Sequence, residues 1–110
     1  MIDVLIVRSE EQMTTGISIL CKRRFGQFLI TERPYCIINN AETIVLQWDR
    51  STIIHLVPDM PYQIVIQFMY MGRPCGTAYS QFRLRPGEIG YYRYKSPFIV
   101  YSPGSVKRIR

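Results

Sequence analysis

Alternation with a two-residue period is the strongest pattern in the chain, and it is clearest in YQIVIQFMYM, residues 62–71. Tyr62, Ile64, Ile66, Phe68 and Tyr70 share one face of an extended segment, while Gln63, Val65, Gln67, Met69 and Met71 share the other. Successive side chains of a strand point to opposite sides, so this segment reads as a strand with one apolar and one mixed face. Shorter runs of similar character recur as IDVLIV (2–7), ISILCKRR (17–24), FGQFLIT (25–31), PYCII (34–38), TIVLQWD (43–49), STIIHLV (51–57), TAYSQFRL (77–84), IGYYRYK (89–95) and FIVYS (98–102). Valine, isoleucine, tyrosine, phenylalanine and threonine fill them, and these types suit a pleated, half-buried surface. The polar SEEQMTTG (9–16) reads as a loop.

Turn residues separate the runs at intervals of about 8–12 residues, the spacing of a sandwich or barrel. NNAE (39–42) joins two runs, and asparagine pairs tolerate the positive φ of a tight turn. PDMP (58–61), GRPCG (72–76) and RPGE (85–88) are further breaks. Proline at 34, 58, 61, 74, 86, 97 and 103 leaves no long window for a helix. Parallel strand pairs need crossover connections, usually helical, so the strands are expected to be mostly antiparallel. The prediction is an all-β fold: a single domain over residues 1–110, an antiparallel two-sheet β-sandwich of immunoglobulin-like or PEGA-like kind with eight or nine strands. A chain of 110 residues buries enough surface to fold without a metal or disulfide.

The segment RLRPGEIGYYRYK (83–95) holds the densest mixture of cations and tyrosines. Pro86 sets φ at the second turn position and Gly87 accepts positive φ at the third. With Arg85–Glu88 as a hairpin loop, Leu84 pairs with Ile89, Phe82 faces Tyr91 and Ser80 faces Arg93. That register turns Leu84, Phe82, Ile89 and Tyr91 to the core. It leaves Tyr79, Gln81, Arg83, Tyr92 and Tyr94 outside, with Arg93 and Lys95 at the rim. Tyrosine offers a broad area with a polar tip, and arginine a planar donor fork, so Tyr79, Arg83, Tyr92, Arg93, Tyr94 and Lys95 are the expected partner-binding residues. An ordinary outer hairpin face remains the alternative, since tyrosine is a favoured strand residue and an exposed arginine over a ring is worth only about 0.5–1 kcal/mol.

Charge narrows the partners. The net charge of +6 favours an acidic protein, nucleic acid or an anionic surface without choosing among them. Two basic clusters stand out, KRR at Lys22–Arg24 and VKRIR at 106–110. The first follows a strand, and the second lies at the chain end, where segments fray. Nucleic-acid binding would require these clusters to converge with the tyrosine face. A hydrophobic share of 47% against 20% charged residues excludes disorder.

Candidate chemistry is sparse. His55 is the only histidine, so no multi-histidine metal site can form. A dyad of His55 with a cysteine is conceivable, but nothing along the chain places one beside it. The eight carboxylates are scattered, with Asp3, Glu42, Asp49, Asp59 and Glu88 at turns or strand ends, and no phosphate loop, dinucleotide fingerprint, nucleophile elbow or EF-hand is present. No enzyme, cofactor or metal is expected. Three cysteines without CxxC spacing read as reduced thiols packed as small hydrophobes. The apolar run at the N-terminus stops at Val7, short of a signal peptide or membrane span, so a cytoplasmic protein is expected.

The stretch IIHLVPDMPYQIVIQFMYMG, preceded by CIINNAETIVLQW, resembles small β-sandwich modules of the PEGA and transthyretin-like type over roughly residues 34–96. Those modules carry a hydrophobic strand, a PG-x-Y/H corner and an alternating strand. Here the corner reads Pro58, Asp59, Met60, Pro61, Tyr62, without the usual glycine. The resemblance implies binding, display or scaffolding rather than catalysis. The expected function is therefore a binding or interaction module that contacts a protein partner, or oligomerises, through an exposed sheet face or edge. Met69 and Met71 could enlarge an apolar patch for self-association. Nucleic-acid binding through the basic clusters and exposed tyrosines is the alternative.

Overall fold

The computed structural model describes residues 14–24 and 30–110. The expectations on IDVLIV, on residues 9–13 of the first loop and on 25–29 of FGQFLIT lie outside the described residues. Among the described residues eight strands form: β1 Gly16–Lys22, β2 Tyr35–Ile38, β3 Glu42–Val45, β4 Ser51–His55, β5 Pro61–Tyr70, β6 Arg73–Arg83, β7 Ile89–Lys95 and β8 Ser105–Arg108. They make two four-stranded sheets, ordered β4-β1-β7-β8 and β3-β2-β5-β6. The fold is an all-β two-sheet sandwich, as the alternation and turn spacing predicted.

The central strand of the second sheet follows its pattern closely. Tyr62, Ile64, Ile66 and Phe68 are buried and Tyr70 is half-buried, while Gln63, Val65, Gln67 and Met69 face outward or stay half-exposed. Asn39 and Asn40 take φ of 51° and 56°, so NNAE is the tight hairpin turn expected between β2 and β3. β5 and β6 pair through a bulge: the register shifts between Ile66 and Phe68, opposite Gly76 at a φ of 62°. β6 already begins at Arg73, inside the predicted GRPCG break, with Pro74 tolerated because β6 is an edge strand. At the Pro58–Pro61 corner, Asp59 itself adopts a φ of 62°, the left-handed geometry in which glycine is usual. The Tyr62 hydroxyl closes that corner, donating to the Val57 carbonyl at 2.9 Å and accepting from the Val57 N–H at 3.0 Å.

Three expectations need correction. FIVYS is not a strand: the Ser102 N–H donates to the Ile99 carbonyl at 2.9 Å and closes a turn. Pro97 and Pro103 bracket it and remove two ladder donors. The VKRIR end is not a frayed tail but largely strand β8, paired antiparallel to β7 from Ser105 to Arg108. Most consequential, β6 and β7 do not form a hairpin. β6 pairs with β5, and β7 pairs parallel to β1 and antiparallel to β8, so the two lie in different sheets. Of the six strand pairings among the described residues, β1–β7 is the parallel one.

The turn at RPGE does form, with the Glu88 N–H donating to the Arg85 carbonyl at 3.0 Å and Gly87 at a φ of 80°. It docks on the start of β1 rather than folding back. Gly87 N–H donates to Thr15 Oγ1 at 2.8 Å and Gly16 N–H to the Glu88 carbonyl at 3.1 Å. These long-range bonds deliver β7 alongside β1 and make the turn a corner between sheets. The shared core then takes Ile17, Ile19 and Cys21 from β1 and Ile54 from β4. Cys36, Ile64, Ile66 and Phe68 join from the other sheet, with Leu84, Tyr92 and Tyr94. Trp48 seals one side, its ring 5.6 Å from Phe68 and 6.1 Å from Tyr94.

Candidate functional site

Because β7 joins the first sheet, its alternation is inverted relative to the hairpin register. Tyr92 and Tyr94 are buried, at 3% and 0% exposure, while Arg93 and Lys95 face solvent. Ile89 and Tyr91, expected in the core, are half-buried on the outer side. Tyr92 packs between Phe82, 5.4 Å away, and the Arg108 guanidinium, 6.0 Å from its ring. Burial pushes the phenols of both Tyr92 and Tyr94 above their ordinary range. The Tyr94 hydroxyl donates to the carbonyl of Gly76. Neither ring can meet a partner.

On β6 the expected faces hold. Leu84 is buried and Phe82 stacks on Tyr62 at 5.7 Å, while Tyr79, Gln81 and Arg83 are exposed. Arg83 is occupied in bracing the corner, its Nη1 donating to the Asp59 carbonyl at 2.9 Å. Tyr79 and Arg83 thus lie on the outer face of the second sheet, and Arg93 and Lys95 on that of the first. The six residues expected to form one surface are split between opposite sides of the sandwich and its interior.

A different constellation forms on the first sheet. Register places Arg93 beside Lys107 and Lys95 beside Ser105 across β7–β8, with Lys22 beside Lys95 across β1–β7. Cross-strand partners share a face. Arg24, just beyond β1, completes the set. Arg24, Arg93, Lys95, Ser105, Lys107 and Ile109 line a recess of about 230 Å³. Among the described residues it carries four cations, one hydroxyl and no carboxylate. Arg24 is held in place by its Nε, which donates to the Ser96 carbonyl at 2.8 Å. None of the ion pairs among the described residues uses Arg93, Lys95 or Lys107.

The other members of the two basic clusters are spent internally. Lys22 and Arg23 lie 3.6 and 3.4 Å from the Asp49 carboxylate. Arg23 also donates to the Ile30 carbonyl. Arg108 pairs with Glu88 at 2.6 Å, and Arg110 covers the Tyr91 ring at 4.5 Å. Each basic cluster contributes one cation to the recess, Arg24 and Lys107, and only the strand order selects which cations face it.

His55 is exposed on β4 opposite Gly16, five residues along β1 from Cys21, a separation of roughly 16 Å by strand rise. Burial pushes the Cys21 and Cys36 thiols up to about 12, which keeps them protonated, and all three cysteines are free and buried. Among the described residues no group of three His, Cys, Asp or Glu could hold a metal ion. No helix among them is long and apolar enough to cross a membrane.

No family model, no curated protein and no solved structure matches the chain.

Proposed function

We propose that this protein is a non-catalytic binding module that holds an acidic segment of a protein partner against the outer face of the β4-β1-β7-β8 sheet. The observation that carries this reading is the convergence of Arg24, Arg93, Lys95 and Lys107 on one recess whose lining, among the described residues, holds no carboxylate. Like charges gathered this way oppose one another, so an anion that neutralises them is strongly favoured. The same repulsion disfavours self-association through this face. β8 is an edge strand, so an extended peptide can run along it with its carboxylates over the recess. The resemblance at Pro58–Tyr62 to PEGA and transthyretin-like modules also favours a binding role. The buried thiols fit a reducing compartment.

Nucleic acid is the second reading, favoured by the junction of both basic clusters. The tyrosines expected to stack bases give it no platform, because Tyr92 and Tyr94 are interior, Tyr91 is covered by Arg110 and Tyr79 is on the opposite sheet, which leaves Phe98 beside Arg24 as the exposed ring next to the recess. Single-strand binders rely on such rings.

Fluorescence anisotropy with a labelled oligoglutamate peptide tests the proposal. Binding is expected at low salt and weakens as salt rises. The double variant R93E/K107E should lose about tenfold or more, since each exposed charge contact contributes roughly 0.5–1 kcal/mol and reversal adds repulsion. Unchanged affinity in that variant rejects the site. An oligonucleotide that binds while a peptide of equal charge does not would replace the first reading with the second.

A further inference from the structure

One end of the sandwich exposes large apolar side chains on two adjacent tips. The first tip is the 96–104 connection, where Phe98 is 82% exposed, Ile99 67% and Tyr101 59%. The second is the β5–β6 turn, where Met71 is 78% exposed. The Tyr101 ring lies 6.2 Å from that of Tyr70 and 5.4 Å from the Arg73 guanidinium, so the two tips touch.

This exposure is built rather than slack. Ser96 and Pro97 are buried, and Ser96 N–H donates to the Lys22 carbonyl at 3.1 Å. At the other end of the connection, Gly104 N–H donates to the Thr77 carbonyl at 3.1 Å. Half-buried Val100 packs on the core. With both ends anchored and Val100 turned inward, Phe98, Ile99 and Tyr101 are held outward.

Cations lie against two of the rings. The Arg24 guanidinium is 3.9 Å from the centre of Phe98, Arg73 is against Tyr101, and Lys95 ends β7 three residues before Phe98. An apolar tip collared by cations matches the layering of an anionic membrane: aliphatic and phenyl groups at the acyl boundary, tyrosine at the headgroups, and Arg or Lys at the phosphates. A second copy fits less well. Four side chains at two tips fall well short of the roughly 800 Å² per partner of a stable interface, and pairing would bring the cationic collars together.

We propose that this end of the sandwich seats in an anionic lipid surface, with Phe98 and Ile99 inserted, Tyr101 and Met71 at headgroup depth, and Arg73 and Lys95 over lipid phosphates. The attachment is peripheral; its apolar tip lies outside the recess, with which it shares only the bordering cations Arg24 and Lys95.

Co-sedimentation with phosphatidylcholine vesicles, prepared with and without phosphatidylserine, tests it. The full chain should pellet with the serine-containing vesicles and stay in solution with pure phosphatidylcholine. F98S/I99S should cut partitioning by about tenfold or more, the effect of losing two buried apolar side chains. R73E should cut it by about fivefold, as expected for a cation near a charged surface. Both changes are at exposed positions, and unchanged circular dichroism and melting show that the fold is intact. A blue shift of an environment-sensitive dye placed at residue 99 on serine-containing vesicles should report insertion. Three results overturn the proposal: no pelleting of the wild-type chain at low salt, full retention of binding by F98S/I99S, or a wild-type dimer that F98S/I99S converts to monomer. If R93E/K107E abolishes pelleting while F98S/I99S does not, the recess meets the lipid and the tip does not.

Discussion

Tyr94 carries its hydroxyl into the seam between the sheets, where it donates to the carbonyl of Gly76. The ring fits only because two glycines surround it. A Cβ on Gly104 would stand 2.8 Å from the Tyr94 ring and 2.5 Å from the Gly76 carbonyl oxygen, and one on Gly76 would meet Phe68 at 2.4 Å. Gly76 also takes a φ of 62°, which a side chain would strain. Tyr94→Phe keeps the ring and removes the donor, leaving a buried carbonyl without this partner. It should cost about 1–2 kcal/mol of stability in urea denaturation and leave oligoglutamate binding unchanged. A loss of binding with normal stability would mean that Tyr94 reaches the partner after all.

At the scale of elements, the Arg85–Glu88 turn decides which sheet receives β7. Its carboxylate works at both ends: Glu88 Oε1 accepts from the Arg85 N–H at 2.8 Å, and Oε2 accepts from Arg108 on β8 at 2.6 Å. The backbone donor and then Arg108 hold the Glu88 carboxyl below its ordinary 4.5. A depressed folded-state value stabilises the fold above the ordinary one, and this contribution disappears as pH falls through the folded one. E88Q should therefore melt below wild type at neutral pH, and the two curves should converge as the medium is acidified past 4.5. Parallel melting curves at every pH would show that the charge does not support the corner.

For the molecule as a whole, buried thiols set an alkaline limit. Cys21 and Cys36 are pushed from 9.0 to about 12, mainly by burial, so the folded state retains protons that the unfolded chain releases. Stability then declines with rising pH wherever the folded state binds more protons. The contribution is complete below about 9 and is lost on the way to 12. Urea midpoints should be level near neutrality and fall steadily from about 9 towards 12, with the drop reduced in Cys21→Ala/Cys36→Ala. A midpoint insensitive to alkali would show the thiols to be less enclosed. The same enclosure predicts slow alkylation of the native protein and fast alkylation in urea.

The sandwich was legible along the chain because alternation and turn chemistry are local. YQIVIQFMYM sorts its own faces, the asparagine pair makes its own turn, and proline excludes helices wherever it stands. The candidate contact surface was not legible, since a tight turn at Pro86-Gly87 serves equally as a hairpin or as a corner between sheets. Bonds from Gly87 to Thr15 and from Gly16 to Glu88, some 72 residues apart in the chain, made the choice. They turned Tyr92 and Tyr94 inward and brought Arg93 and Lys95 to Arg24 and Lys107. A side-chain period determines which residues travel together within one strand. Only the pairing of strands distant in the chain decides which of the two sets meets water, and which charges meet one another.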